Sequence, residues 1–209
     1  FAERYPKEIG LPFLANVHPL AVSKRHAELL KKAGIGYAQM GVQSGDPELR
    51  SWMHRKETNE QIEQSCRYLK EQGIKLNVEF IFGYPTETAE QMWESVKLNQ
   101  LIQANTTATF VFYPFPETES YTHADGYDLI DESQRKNILE GVGSYHTTVM
   151  IDQPYANQAL NLASLVPLFT KLPDFFTTKI LKKIYMGPHN FLIRSIGLIS
   201  LPLLSPWQF

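Results

Sequence analysis

Glu79 interrupts the apolar run Leu76-Asn77-Val78-Glu79-Phe80-Ile81-Phe82, which stops at Gly83-Tyr84-Pro85-Thr86-Glu87-Thr88. A carboxylate inside a strand is an expensive buried charge unless it faces a polar cavity, so Glu79 is expected to point into a lumen and meet a ligand. Alternation puts Ile81 and Gly83 on its side, and Asn77 and Phe80 are read as facing the other way. Gly83 and Pro85 form a strand-to-helix corner of the kind that brings backbone close to a ligand in α/β proteins. A tight turn without a ligand accounts for the glycine equally well. A second corner carries Gln43 and Ser44, an amide and a hydroxyl suited to a neutral polar rim. Ser44 or Asp46 acting only as a helix cap explains the same residues. Arg55 lies in the basic cluster His54-Arg55-Lys56, where a planar guanidinium can grip a carboxylate or simply be solvated. Tyr113 and Pro114, with Pro116, end a later apolar run as a ring wall or a proline-made terminus. Asn16 and His18 end the first such run and can reach the same cavity, although a lone histidine there is more often structural.

The elements that must position these residues repeat. Leu30-Lys31-Lys32-Ala33-Gly34-Ile35 aligns with Leu69-Lys70-Glu71-Gln72-Gly73-Ile74, and the two glycines are 39 residues apart. Each glycine suits a helix C-terminus, where it accepts the left-handed conformation cheaply. Strands are expected over 11–17, 37–42, 75–82 and 107–113. Helices are expected from the caps Ser23, Asp46 before Pro47, Thr58 with Gln61, and Thr88 with Gln91. Strand–helix alternation calls for a parallel sheet with right-handed crossovers, and the apolar strands call for cover on both faces. Four strands are too few to close a barrel, so further strands are expected before Phe1. From about residue 120 the pattern changes. Asp131 with Gln134 caps another helix, 142–156 reads as loop or a short strand around Thr147–Ile151, and the tail from Asn157 is helical, broken by Pro167, Pro173, Pro188, Pro202 and Pro206. Phe169, Phe175, Phe176 and Tyr185 read as core or lid packing. The run from Phe191 to Leu204 is shorter than the roughly 20 residues of a membrane span and reads as a packing or interfacial helix.

Composition narrows the function classes. The 209 residues carry 20 basic and 22 acidic side chains, so a nucleic-acid partner is not expected. The single cysteine, Cys66, excludes an internal disulfide, fits a reducing cytoplasm, and cannot ligate an iron–sulfur cluster alone. It falls on a helix's apolar face and reads as core.

Leu30-Lys-Lys-Ala-Gly34, Gly41-Val-Gln-Ser-Gly45, Arg55 with Thr58 and Gln61, Gly73-Ile74, Phe80-Ile-Phe-Gly-Tyr-Pro-Thr-Glu-Thr88 and Phe112-Tyr-Pro-Phe-Pro-Glu-Thr118 occur in the order and spacing of one family. Across about residues 11–120 the chain resembles the C-terminal part of a radical S-adenosylmethionine (SAM) enzyme, of the subgroup that often carries a cobalamin-binding domain. The three cluster cysteines of that family and its upstream glycine-rich motif are absent. Truncation or a cluster-free homologue each explains this.

The resemblance implies an α/β fold: a partial (β/α) TIM-type barrel with parallel strands over 1–120, then a mostly helical extension over 121–209. It implies SAM and a [4Fe–4S] cluster with ligands outside this chain, and cobalamin where its domain is present. It places Gln43 and Ser44 near the SAM ribose or methionine portion, Arg55 at the SAM carboxylate, and Glu79, with Ile81 beside it, at substrate or SAM. Gly83 and Pro85 let backbone approach the adenine, and Tyr113 and Pro114 wall it. The implied activity is reductive cleavage of SAM to a 5′-deoxyadenosyl radical, with methyl transfer or a related transformation where cobalamin takes part. The missing N-terminal part of the same polypeptide is the expected partner, with no transmembrane span. Two rival readings stay open: a barrel enzyme using acid–base chemistry through Glu79 and His18, and a non-catalytic binding module.

Overall fold

The computed structural model describes residues 1–143, 145 and 148–196. After a short helix α1 (Tyr5–Glu8), strands β1 (Phe13–Val17), β2 (Ile35–Gln43), β3 (Lys75–Phe82) and β4 (Thr106–Val111) form one parallel sheet in the order β1-β2-β3-β4. The connecting helices are α2 (Lys24–Ala33), α3 (Pro47–Trp52), α4 (Asn59–Glu71) and α5 (Ala89–Ile102). This is the parallel α/β arrangement expected from the strand–helix alternation, and it resembles the partial barrel that the family resemblance implied. The chain divides into two compact units: Phe1–Phe80 with Glu94–Ala108, and Ile81–Trp93 with 109–196.

Local signals explain the first unit's helices. The Ser23 side chain accepts from the His26 N–H at the start of α2, and Gly34 closes that helix at φ 95°. Thr58 and Gln61 form a reciprocal capping box, a device worth about 1 kcal/mol. From that start α4 buries Ile62, Ser65, Cys66 and Leu69, a single stripe at helical spacing. Cys66 is core, as expected; its Sγ lies 3.5 Å from Met40 Sδ, and burial pushes its thiol up to about 12. On the sheet, Ala38, Met40, Val42, Leu76, Val78 and Phe80 have no exposed surface, and they alternate with partly exposed Gln39, Gly41 and Glu79.

In the second unit, α6 (Glu119–Gly126) was not foreseen, although Thr118 caps it. Helix α7 (Glu132–Leu139) starts from the expected Asp131–Gln134 box. Of the two readings of 142–156, loop or a short strand around Thr147–Ile151, residues 148–151 are loop, and Thr147 lies outside the described residues.

Pro167 does not break the tail. It lies inside α8 (Ala156–Phe169), where it cannot donate to the Ala163 carbonyl one turn earlier. Thr109 Oγ1 on β4 donates to that carbonyl at 2.6 Å instead. Thr109→Val should therefore cost about 1–3 kcal/mol by orphaning a buried acceptor. In a Pro167→Ala background, where residue 167 regains its N–H, the same change should cost clearly less. Equal costs in both backgrounds, measured by urea unfolding, would refute this coupling.

Beyond α8, a π-helical turn (Phe176–Leu181) runs into α9 (Lys182–Ile184), and 191–196 is helical. Of the four aromatics read as core or lid packing, Phe169 and Tyr185 are buried, whereas Phe175 and Phe176 are exposed and so are not core. Pro202 and Pro206 lie outside the described residues. No helix among the described residues is long and apolar enough to cross a membrane.

Candidate functional site

In the first unit, the strand register assembles a polar face. Asn16 pairs with Gln39 and Gln39 with Asn77, while Gly41 pairs with Glu79. Gln39 Nε2 donates to Glu79 Oε1 at 2.8 Å, so the carboxyl group is half-buried but partnered. Burial raises Glu79 above the ordinary carboxylate range, against the lowering effect of the Gln39 hydrogen bond. The expectation that Asn77 faces away from Glu79 is corrected. Residues two apart on a strand share a face, and Asn77 Oδ1 accepts from Thr106 Oγ1, which in turn meets the Tyr37 hydroxyl.

Three side chains converge on the backbone of Gly41. The β2–β3 register shifts between Gly41 and Gln43, where Gln43 adopts φ 71° and its side chain folds back. A Cβ on Gly41 would sit 2.5 Å from Gln43 Nε2 and 4.0 Å from Glu79 Oε2. Arg55 Nη2 donates to the Gly41 carbonyl at 2.6 Å, and Arg55 Nε donates to Glu57 Oε1 at 2.7 Å. The Glu57 side chain is completely buried, with His18 Nε2 at 3.9 Å from the same oxygen. His18 Nδ1 accepts from the Leu20 N–H, which leaves Nε2 as the nitrogen turned toward Glu57. Gln43 Oε1 and Glu57 Oε2 are buried acceptors without a hydrogen-bond donor. A cavity of about 590 Å³ opens beside this group, lined by His54, Arg55, Glu57 and Asn59 among others.

Ser44 is not part of that convergence. It is fully buried, its Oγ accepts from the Asp46 N–H at 3.1 Å, and Ser95 Oγ lies 3.4 Å away. Its carbonyl accepts from Arg50 Nη1 at 2.7 Å, and Arg50 Nε donates to the Glu57 carbonyl at 3.1 Å. Arg50, with no exposed surface, thus ties the end of β2 to the segment that carries Arg55 and Glu57.

The second unit holds the other corner. Gly83, at φ 85°, and Tyr84 both donate their N–H groups to Glu87 Oε2, at 2.6 and 3.1 Å. The Gly83 carbonyl accepts from Gln153 Nε2 at 2.8 Å. These backbone groups of the corner are therefore satisfied by two protein side chains, Glu87 from the corner itself and Gln153 from the segment before α8. Pro85 and Pro114 are buried, and Ile81 and Tyr113 are half-buried. Phe112 N–H donates to the Phe82 carbonyl at 2.8 Å, which brings the ends of β3 and β4 together. Tyr113 lies 4.9 Å from the Phe115 ring and lines a cavity of about 390 Å³ with Phe115, Ile138 and Tyr145.

Gln39, Arg50, Glu57, Glu87 and Gln153 escaped the sequence reading. Gln39 had a usable signal, since it is a polar residue two before Gly41 and so shares its strand face, but its meeting with Glu79 came from the register. Arg50, Glu57 and Gln153 had none, because their partners are set by folding.

The Radical SAM superfamily profile matches residues 2–98. Over those residues, just under half of its length, the chain is similar to the Radical SAM superfamily. Among curated proteins, a tRNA-2-methylthio-N(6)-dimethylallyladenosine synthase of Anoxybacillus flavithermus is 31% identical over 129 residues, 60% of this chain and 24% of the relative. An oxygen-independent coproporphyrinogen III oxidase of Paracoccus denitrificans is 26% identical over 96 residues, 46% of this chain and 21% of the relative. The structure of coproporphyrinogen III oxidase from Escherichia coli, described as a radical SAM enzyme, superimposes with a TM-score of 0.52 at 21% identity, over 62% of this chain and 30% of that one. That likeness is one of fold. The relatives are enzymes, and the chain spans about a quarter of the length of the curated ones.

The radical SAM family implies SAM and a [4Fe–4S] cluster. The cluster does not fit the residues of this chain. Its one cysteine is buried with a raised thiol pKa, and among the described residues no group of three His, Cys, Asp or Glu side chains could hold a metal ion.

Proposed function

We propose that this chain supplies part of the SAM pocket of a radical SAM iron–sulfur enzyme, with cluster ligands, and any cobalamin-binding segment, contributed from outside residues 1–209. The observation that carries this reading is the convergence of Gln43, Arg55 and Glu79 on Gly41 at the end of β2. When cluster and SAM are bound together, such enzymes reductively cleave SAM to a 5′-deoxyadenosyl radical, and cobalamin-dependent members couple this cofactor set to methyl transfer.

The residues here bind and orient. Gln43 Oε1, buried and lacking a donor, accepts from a ligand ammonium or hydroxyl group. Glu79, held by Gln39, offers its second oxygen to the same ligand. Arg55 uses one N–H for Glu57 and one for Gly41, and turns the rest of its guanidinium to the ligand carboxylate. Gly41 has no side chain because Gln43 occupies that space. On the sequence resemblance we further assign Ile81, Gly83, Pro85, Tyr113 and Pro114 to the adenine side. Ser44 acts on this site indirectly, by fixing the corner behind Gln43.

SAM titration into the purified protein, followed by calorimetry, tests the reading. Gln43→Ala and Glu79→Ala should each weaken SAM binding roughly tenfold, the effect of one lost hydrogen bond to a charged or polar ligand. Unchanged affinity in both variants would overturn the assignment.

A further inference from the structure

The segment after α8 keeps one narrow row inside and turns the rest outward. Thr177, Leu181 and Tyr185, spaced by four, are buried. Tyr185 stacks on Trp93 at 5.0 Å, with Lys182 5.7 Å over the same indole, which fixes the rotation of the helical segment. The neighbouring row, Phe176, Ile180 and Ile184, is exposed, and the row beside it carries Phe175, Lys179 and Lys183. Met186, Phe191 and Leu192 are exposed as well, Phe175 and Phe191 being 62% and 85% exposed. Charge is concentrated here too. Residues 171–196 hold five of the chain's 20 basic residues and one of its 22 acidic ones, a net of +4 in a chain whose net charge is −2.

An apolar row alongside a cationic row, on a helix too short to span, is the surface that lies in a membrane interface. Lysine stems pack along the apolar row while their ammonium groups reach out to phosphate headgroups. We propose that this face docks on the surface of an anionic phospholipid bilayer. The aliphatic residues choose between anionic partners. Ile180, Ile184, Met186 and Leu192 have no π-face to stack on a base, and they gain only by leaving water for an apolar medium. The inference is independent of the SAM-pocket reading, since none of these residues belongs to that site.

Co-sedimentation of the full-length protein with phospholipid vesicles tests it. Binding is expected to vesicles of phosphatidylcholine mixed with phosphatidylglycerol, to rise with the phosphatidylglycerol fraction and to fall with salt. Lys179→Glu/Lys183→Glu should weaken binding roughly tenfold or more. Phe175→Ser/Phe191→Ser, both at exposed positions, should weaken it comparably while circular dichroism stays unchanged. Failure to pellet with the mixed vesicles would overturn the proposal and indicate a face covered by another segment or protein. Equal binding to pure phosphatidylcholine would overturn it, as would wild-type binding by the lysine variant. Capture of transfer RNA that survives in the phenylalanine variant, with no vesicle binding, would assign the face to nucleic acid instead.

Discussion

Gly45→Ala is expected to cost at least about 3 kcal/mol, enough to unfold much of a domain of ordinary stability. A Cβ at position 45 would lie 2.3 Å from the Glu94 carbonyl oxygen, 2.4 Å from its carbon and 2.5 Å from the Ser95 nitrogen. These are backbone atoms of α5, so no side chain can swing away to relieve the overlap. The same approach lets the Gly45 N–H donate to Ser95 Oγ at 2.7 Å, and Asn59 Nδ2 reaches the Gly45 carbonyl at 3.1 Å. Moving the backbone to admit a methyl group therefore breaks hydrogen bonds as well as packing. Gly126→Ala provides the contrast, because its added Cβ would meet nothing within 4 Å. Urea midpoints should fall sharply for the first variant and stay within about 0.5 kcal/mol for the second, or rise slightly. A Gly45→Ala protein as stable as the parent would mean that α5 does not press on the β2 corner.

Arg55→Ala should destabilise by about 3–5 kcal/mol, the usual consequence of stranding one partner of a buried ion pair. The Glu57 side chain has no exposed surface and that of Arg55 only 19%, so water cannot replace the lost guanidinium. Arg50 lies close enough to feel the Glu57 charge, but it bonds the Glu57 carbonyl rather than the carboxylate. The double variant Arg55→Ala/Glu57→Ala removes both charges and should recover part of the loss, with a coupling of about 1–3 kcal/mol. SAM affinity should not recover with it, because the guanidinium is still missing. Additive stability effects would show that the pair is uncoupled. Recovery of affinity in the double variant would show that Arg55 acts on SAM binding only through stability.

The Arg55–Glu57 pair also marks the limit of sequence reading at this site. Gln43 and Glu79 are visible because each is a polar residue at a strand end or within an apolar strand, and Arg55 because it sits in the basic cluster His54-Arg55-Lys56. Glu57 is invisible for the opposite reason: an acid just before the Thr58 cap reads as solvated surface. Its burial depends on β1 and β2 bringing His18 and Gly41 to the same place. Ser44 misled in the reverse direction. A hydroxyl at a strand end suits a ligand rim, but the chain turns at Gly45 so tightly that Ser44 points into the corner with Ser95, 51 residues away.

What the amino-acid sequence determined alone is what acts within one helical turn or alternates along one strand. The caps at Ser23, Asp46, Thr58, Thr88 and Asp131, the stops at Gly34 and Gly73, and the parallel strand–helix repeat all depend on hydrogen bonds or steric limits between near neighbours. Only the tertiary structure decided which distant groups meet. It joined Gln39 to Glu79, gave the Ala163 carbonyl the Thr109 hydroxyl in place of the N–H that Pro167 lacks, buried Arg50, and turned Phe175 and Phe176 outward. Those outcomes depend on register and on which helix face the core has room to bury, and neither is written in any window of a few residues.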